Sequence, residues 1–382
     1  MNCFSLYIHV PFCAAGGKCD YCDFYSISAD EKSSTLMDLY ITAVIQDVKR
    51  QLDYFSVKEI CTVYIGGGTP SVLGAKRLRI LLDALNALPG FSPVEFSIEA
   101  NPESVTAEFL DVCREGGINR LSLGVQTFNE EARLAVNRRG QVRFVEKQIS
   151  LVSSFFSGSF SADLITGLPY QNKKNVTEDI KRLLAFNPSH ISLYSLSVED
   201  GTPLEKKIKA GVVRLPDGDS ADILWLTGSD ALIDAGFNHY EVSNFALPEK
   251  RCLHNIRYWN MDGWLGTGPS ASGTVIDEDN GTAKRFTFAP DLQGYINSPS
   301  VRSAVCEELD RDALIRESLL MGFRYCEGPN SENFKRRFGL SVEDCIPKTL
   351  ERWKEKDKML FLNSFLLDAF SELSTTQFLY VS

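Results

Sequence analysis

Short apolar runs alternate with longer amphipathic stretches along the first 240 residues, and that alternation sets the expected fold. Phe4–His9 is a compact apolar run that reads as a buried strand. Asp30–Tyr54 follows, with Leu36, Leu39, Tyr40, Val44 and Val48 at helical spacing. Glu59–Ile65 is again strand-like and runs into Gly66-Gly67-Gly68-Thr69-Pro70. Ala75–Leu88 is amphipathic and stops at Pro89-Gly90. Val94–Ala100, Arg120–Val125, Ser159–Ile165 and His190–Leu196 repeat the strand pattern. Between them lie helical patterns: one ending at Gly116-Gly117, then Glu130–Asn137, Phe144–Phe155, and one ending near Phe186. Asp219–Ala235 reads as a helix and Asn238–Val242 as a last strand.

A strand-then-helix rhythm demands parallel βα units joined by right-handed crossovers. The expectation is an α/β fold with a partial, TIM-like parallel (β/α)6 barrel over residues 1–240. Residues 241–300 are expected to connect it to a second unit over 301–382. There Arg311–Gly322, Ser331–Phe338 and Ile346–Lys356 read as helices. Met359–Leu362 and Phe365–Phe370 read as two short strands around Asn363-Ser364. Three helices and a hairpin predict a small winged-helix-like domain.

Composition removes several classes of function. The chain of 382 residues is 44% hydrophobic and 24% charged, ordinary for a soluble globular protein. A net charge of −10 leaves no electrostatic footprint for nucleic acid, so no such partner is expected despite the winged-helix pattern. No apolar run reaches the length of a membrane span. Met1-Asn2-Cys3-Phe4-Ser5 lacks the basic start of a signal peptide, and a cytoplasmic protein is expected. In that compartment ten cysteines are not a disulfide framework. Cys61, Cys113, Cys306, Cys326 and Cys345 stand among apolar neighbours and read as small buried hydrophobes.

Cys13, Cys19 and Cys22 differ, because they cluster on a loop directly after the first strand. Three such thiolates can hold three irons of a [4Fe–4S] cluster and leave the fourth open to a substrate or cofactor. A zinc site is the alternative, and zinc would want a fourth Cys or a His, for which His9 is close. Other polar, glycine-containing segments also follow strands: Gly66–Pro70, Glu99–Pro102, Gln126-Thr127, Asp163–Pro169 and Glu199–Pro203. A parallel barrel brings strand ends to one rim, where active sites are built. Gly266-Thr267-Gly268-Pro269-Ser270-Ala271 matches a dinucleotide fingerprint in form, but it carries Pro269 and opens no clear βαβ unit.

These residues carry a family resemblance. Tyr7-Ile8-His9-Val10-Pro11-Phe12-Cys13 with Cys19-Asp20-Tyr21-Cys22-Asp23-Phe24 resembles the opening of the radical S-adenosylmethionine (SAM) enzymes of the oxygen-independent coproporphyrinogen III oxidase family. Gly66–Ser71, Glu99–Pro102, Asn119–Phe128, Asp163–Pro169, His190–Leu204 and Tyr240–Phe245 are similar to further segments of that family, in order. The resemblance implies a radical SAM barrel in which Cys13, Cys19 and Cys22 bind the cluster. It implies SAM beside Tyr7, on Gly67, Gly68 and Thr69, and against Glu99, Gln126, Arg138 and Asp163. It also implies an electron donor such as flavodoxin. It assigns no catalytic residue.

Two branches of the family compete. One decarboxylates coproporphyrinogen III to protoporphyrinogen IX; the other comprises heme chaperones, which bind heme and are proposed to deliver it to acceptor proteins. Phe24 stands where the oxidase branch has a fourth cysteine, and Cys13 lies close to the start. His254-Asn255-Ile256-Arg257-Tyr258-Trp259 resembles the HNxxYW motif of the chaperone branch, which makes His254 a candidate heme ligand. Packing beside Tyr258 and Trp259 is the alternative for that histidine. A protein with a purely structural Fe–S cluster is a third reading. The chain departs from the family in the five residues Ala14–Lys18 between Cys13 and Cys19, a longer gap than usual. Gly140 and Ser272 stand where histidine is common.

Overall fold

The structure is a computed structural model, and it describes residues 3–14, 16, 18–30, 33–359 and 362–375. Six strands form its central row: β1 (Cys3–Val10), β2 (Glu59–Gly67), β3 (Phe91–Ala100), β4 (Arg120–Gln126), β5 (Phe160–Thr166) and β6 (His190–Ser195). Consecutive strands are neighbours in the sheet and every pair is parallel. This open row is the partial (β/α)6 barrel that the rhythm predicts.

Helices Ser34–Tyr54, Gly74–Asn86, Ala107–Glu115, Val142–Phe155 and Lys173–Leu184 return the chain between these strands. Each buries an apolar stripe, as Leu78, Leu81, Leu82 and Leu85 do on the second. The strands are buried on both faces: in β4, Leu121, Leu123 and Val125 are fully buried on one face, and Ser122 is buried on the other. Starts are set by side chains. Thr106 accepts from the Phe109 amide, and Asn172 with Asn175 forms a capping box. The first helix begins at Ser34, later than its apolar pattern suggests. Just before it, Asp30 Oδ1 accepts from the Ser33 amide at 3.0 Å.

The row is extended at both edges. Trp264–Thr267 adds in parallel beside β1, and Ser272–Asp277, Thr282–Thr287 and Val305–Leu309 follow antiparallel. Asn244–Ala246 and Asn238–His239 add antiparallel beyond β6. The segment 241–300 thus carries strands of the main sheet as well as the helix Leu253–Trp259. Its glycine motif serves packing. Gly268 has φ +103, and a Cβ there would overlap the His9 carbonyl.

A second, smaller core gathers Met261, Leu314, Ile315, Leu319, Phe334, Phe338, Trp353 and Phe365. Helices Arg311–Gly322 and Ser331–Phe338 match their apolar patterns; the expected helix Ile346–Lys356 is shorter, Pro347–Arg352, and a separate short helix, Val342–Cys345, precedes it. The predicted hairpin is corrected. Phe365–Phe370 lies inside a helix, Leu362–Thr375, while residues 360–361 of the first predicted strand lie outside the described residues. Leu362, Phe365, Ala369 and Leu373 are buried at spacings of three and four, and Leu367 between them is exposed. That is a helical period, which the local run Phe365-Leu366-Leu367 masks. The wing of the winged-helix expectation is therefore absent from this stretch.

The cysteines also need correction. Cys113 and Cys345 are buried, but Cys306 and Cys326 are exposed. Cys61 lies against Cys3 across the β1–β2 pair, with Cα atoms 5.8 Å apart. Parallel strands bring side chains on one face that close even when far apart in sequence.

Candidate functional site

A cavity of about 520 Å³ opens at the C-terminal ends of the six parallel strands. Its roof is the cysteine loop. Phe12–Ala14 pairs with Ile27–Ala29, and the Ile27 amide donates to the Pro11 carbonyl at 2.9 Å, so the loop is pinned at both ends. Cys13, Cys19 and Cys22 are half-buried free thiols on the cavity wall. The Cys13 thiol donates to Ser26 Oγ at 3.3 Å, and Arg138 Nη1 donates to Cys19 Sγ at 3.4 Å. Burial pushes the Cys22 thiol up to about 11, so iron binding there would release a proton.

Thiolates sharing one zinc each lie about 2.3 Å from it, and so within about 4.6 Å of one another. Among the described residues, the set of His, Cys, Asp and Glu donors that draws within 4.8 Å of itself is Cys3, Glu59 and Cys61. The three loop sulfurs do not all come within 4.8 Å of one another.

The floor is built from glycine backbone. The Gly68 amide donates to the Val10 carbonyl at 2.8 Å and the Thr69 amide to the Phe12 carbonyl at 2.7 Å. A Cβ on Gly68 would lie 2.5 Å from the Phe12 carbonyl oxygen, so only glycine lets β1 and this turn meet. Gly67 has φ +107 and donates to Glu99 Oε2 at 3.1 Å. Tyr64 donates to the other Glu99 oxygen at 2.8 Å. Burial pushes the Glu99 carboxyl up to about 7, with Asp163 adding repulsion and the two hydrogen bonds opposing. Asp163 is raised by burial too, against the bond from Ser122 at 3.1 Å.

Buried polar atoms without partners lie on side chains that line this space. Gln126 Oε1, Arg138 Nε and Glu103 Oε1 are buried and unpaired among the described residues, and all three side chains line the cavity. Gln126 holds φ +70, a conformation that costs a non-glycine residue energy. Unpaired buried polar groups in a polar cavity are what a ligand satisfies.

Cys13, Cys19, Cys22, Gly67, Gly68, Thr69, Glu99, Gln126, Arg138 and Asp163 thus meet around one cavity. Tyr7 and His254 do not line it. Tyr7 lies behind the wall, with its ring stacked on Tyr64 at 6.3 Å and its hydroxyl donating to His9 Nδ1 at 3.0 Å. His9 Nε2 donates to the Tyr25 carbonyl at 2.9 Å, which leaves Nδ1 as the acceptor of the Tyr7 hydroxyl. His254 is buried, with Nδ1 2.9 Å from Thr62 Oγ1 and Nε2 2.9 Å from the Tyr258 hydroxyl.

Sequence reasoning missed the residues that hold the cysteine loop from outside: Asn137, Arg139 and Lys207. The signal was weak, because each is a polar residue on a solvated stretch. Tyr194 and Leu196, also on the cavity wall, lie in a strand-end segment that topology does single out.

A parallel half-barrel with three loop cysteines at its rim defines a class, and residues 7–183 match the Radical SAM superfamily. Within that class, the chain is 33% identical to the heme chaperone HemW of Lactococcus lactis, over 89% of this chain and 86% of the relative. It is 35% identical to HemW of Escherichia coli, over 91% and 89%. The solved structure of Escherichia coli coproporphyrinogen III oxidase HemN superposes with a TM-score of 0.79 at 22% identity, covering 96% of this chain and 90% of that one. The chain belongs to the HemW family of radical SAM proteins. That family implies a [4Fe–4S] cluster and SAM. No helix among the described residues is long and apolar enough to cross a membrane.

Proposed function

We propose that this chain binds SAM at a [4Fe–4S] cluster in the strand-end cavity, binds heme, and passes that heme to acceptor proteins. The observation that carries the cofactor reading is the meeting of three loop cysteines, a glycine turn and two raised carboxyls around one space. Cys13, Cys19 and Cys22 would hold three irons. Such a cluster, when reduced by an external donor, supplies the electron that cleaves the sulfonium of SAM. Gly67 and Gly68 let backbone approach the ligand closely. Glu99 and Asp163 are acceptors for ribose hydroxyls or an ammonium, and Arg138 Nε is a donor for a carboxylate. The Tyr64 hydroxyl and the Gly67 amide orient Glu99, and the cysteine loop covers the cavity against water.

Support for heme comes from the relatives' names and from Phe24. That side chain is 61% exposed at the cavity lip, where it offers an aromatic face. His254 is not poised for iron, because ligation would first have to break its bond to Tyr258.

The test is anaerobic reconstitution followed by three assays on one sample. The expected results are 5′-deoxyadenosine after reduction with SAM, a Soret band on adding hemin, and no protoporphyrinogen from coproporphyrinogen III. An intact cluster with no Soret band would refute the chaperone reading, and protoporphyrinogen formation would replace it with the oxidase.

A further inference from the structure

The long gap between Cys13 and Cys19 has a matching partner. Residues 136–139 run along the cysteine loop and contact it residue by residue. The Val136 carbonyl accepts from the Asp20 amide at 3.0 Å. Asn137 Nδ2 donates to the Lys18 carbonyl at 3.2 Å, and Arg138 Nη1 donates to Cys19 Sγ at 3.4 Å. Arg139 Nη2 donates to the Gly16 carbonyl at 2.8 Å. Three of the four contacts are made to loop backbone, so they hold Gly16, Lys18 and Asp20 whatever the loop's side chains.

The fit at Gly16 is close. Gly16 has φ +107, and a Cβ there would overlap the Arg139 guanidinium. The segment itself is anchored. Buried Arg133 donates from Nη2 to the Arg139 carbonyl at 2.6 Å and from Nε to the Gly140 carbonyl at 3.2 Å. From the other side Lys207 pairs with Asp20 and donates to the Ala135 carbonyl at 3.0 Å. The Asp20 carbonyl accepts from the Leu204 amide at 2.9 Å.

We propose that residues 136–139 form a strap that sets the path of the elongated cysteine loop for cluster binding, with Arg139 the positioning residue that matches the five-residue gap. The strap acts before any metal arrives, since all these bonds are between protein atoms. Pre-ordering the loop lowers the entropy cost of closing three thiolates on one cluster. The inference rests on the cluster reading above, but its first consequence, an ordered loop in metal-free protein, does not.

The experiment compares wild type, Arg139→Ala, Arg139→Lys, a chain lacking Gly16 and Gly17, and that deletion combined with Arg139→Ala. Hydrogen exchange at the Asp20 amide is read in metal-free protein, and iron loss to a chelator in reconstituted protein. Arg139→Ala should speed both by about tenfold, the worth of one charge-assisted hydrogen bond. Arg139→Lys should restore part of it. In the shortened loop, Arg139→Ala should have no further effect, because the residue it serves is gone. Unchanged exchange in Arg139→Ala overturns the strap, and so does an equal effect of Arg139→Ala in both loop lengths. A wild type that takes up no cluster refutes the cluster reading alone, and the exchange result then still decides the strap.

Discussion

The Tyr258 hydroxyl donates to His254 Nε2 at 2.9 Å, one turn along the helix Leu253–Trp259. The tautomer is fixed by a relay on the other side. Thr62 Oγ1 donates to Ser5 Oγ at 2.9 Å, so it accepts from His254 Nδ1. Glu95 accepts from the Leu253 and His254 amides at 2.8 and 3.0 Å and seats the helix start. The ring also lies 5.3 Å from Tyr64, whose hydroxyl binds Glu99 in the cavity wall. His254 is thus a brace between the barrel strands and its own helix.

His254→Ala should therefore cost about 3 kcal/mol of stability, because it strands two buried hydroxyls and opens a cavity. Denaturant unfolding measures this. The Soret band of the folded variant with hemin should match wild type. A lost Soret band with unchanged stability would instead make His254 the heme ligand.

Glu99 gives a pH dependence with a definite sign. Its folded value is raised to about 7 from 4.5, first by burial and then by Asp163. A raised carboxyl stabilises the fold fully below the unfolded value, and the contribution is lost as pH rises through about 7. Burial lowers His254 to about 3, and it lowers His9, His190 and His239 as well. Those groups act oppositely, and stability is lost as pH falls below about 6.5. Because the histidines oppose it over an overlapping range and Glu241 is raised to about 7 as well, the prediction is a difference: relative to metal-free wild type, Glu99→Gln should gain melting temperature as pH rises from about 4.5 to about 7, and the difference should be flat above that. A difference that does not change with pH would show that the Glu99 carboxyl is ionised throughout that range.

Gly68 tests the cavity floor. Its Cβ would meet the Phe12 and Val10 carbonyls at 2.5 and 2.9 Å, and backbone cannot step aside as a flexible side chain can. Gly68→Ala should push the glycine turn away from the cysteine loop and weaken SAM binding by about tenfold or more. Calorimetric titration of reconstituted protein reads this, with cluster absorbance as the control. Equal affinity would mean that the turn does not contact the ligand.

The barrel was legible because parallel strands buried on both faces write themselves as apolar runs, each followed by its functional loop. Several cavity residues were legible for the same reason: Gly67, Glu99 and Gln126 sit where a strand ends, while Asp163 lies within β5. What stayed hidden depends on contacts distant in sequence. Trp264–Thr267 was not recognisable as a strand because it is short and its parallel partner is β1, more than 250 residues earlier. His254 reads as a candidate ligand from its motif alone, and nothing local reveals Thr62 as its hydrogen-bond partner. The C-terminal helix was misread because three apolar residues in a row obscure a period of three and four. Asn137 and Arg139 carry no motif, and their role exists only once the cysteine loop lies beside them.

Arg133 is the last anchor of the site and the most exacting. It is 1% exposed, and its guanidinium donates to four backbone carbonyls: Val125 at 2.9 Å, Thr127 at 3.1 Å, Arg139 at 2.6 Å and Gly140 at 3.2 Å. It ties the end of β4 to the strap over the cysteine loop. Burial, with Arg138 adding repulsion, lowers its value to about 10, so the cation persists at neutral pH through these bonds and nearby acids. Lysine has three donors on a point charge and cannot span the same fork. Arg133→Ala should cost at least about 3 kcal/mol in denaturant unfolding, and Arg133→Lys should recover less than half of it. The Arg133→Lys protein should also exchange the Asp20 amide faster than wild type, since the strap that receives it has lost its backing. A lysine variant with wild-type stability and protection would show that charge alone, without the fork, fixes this corner.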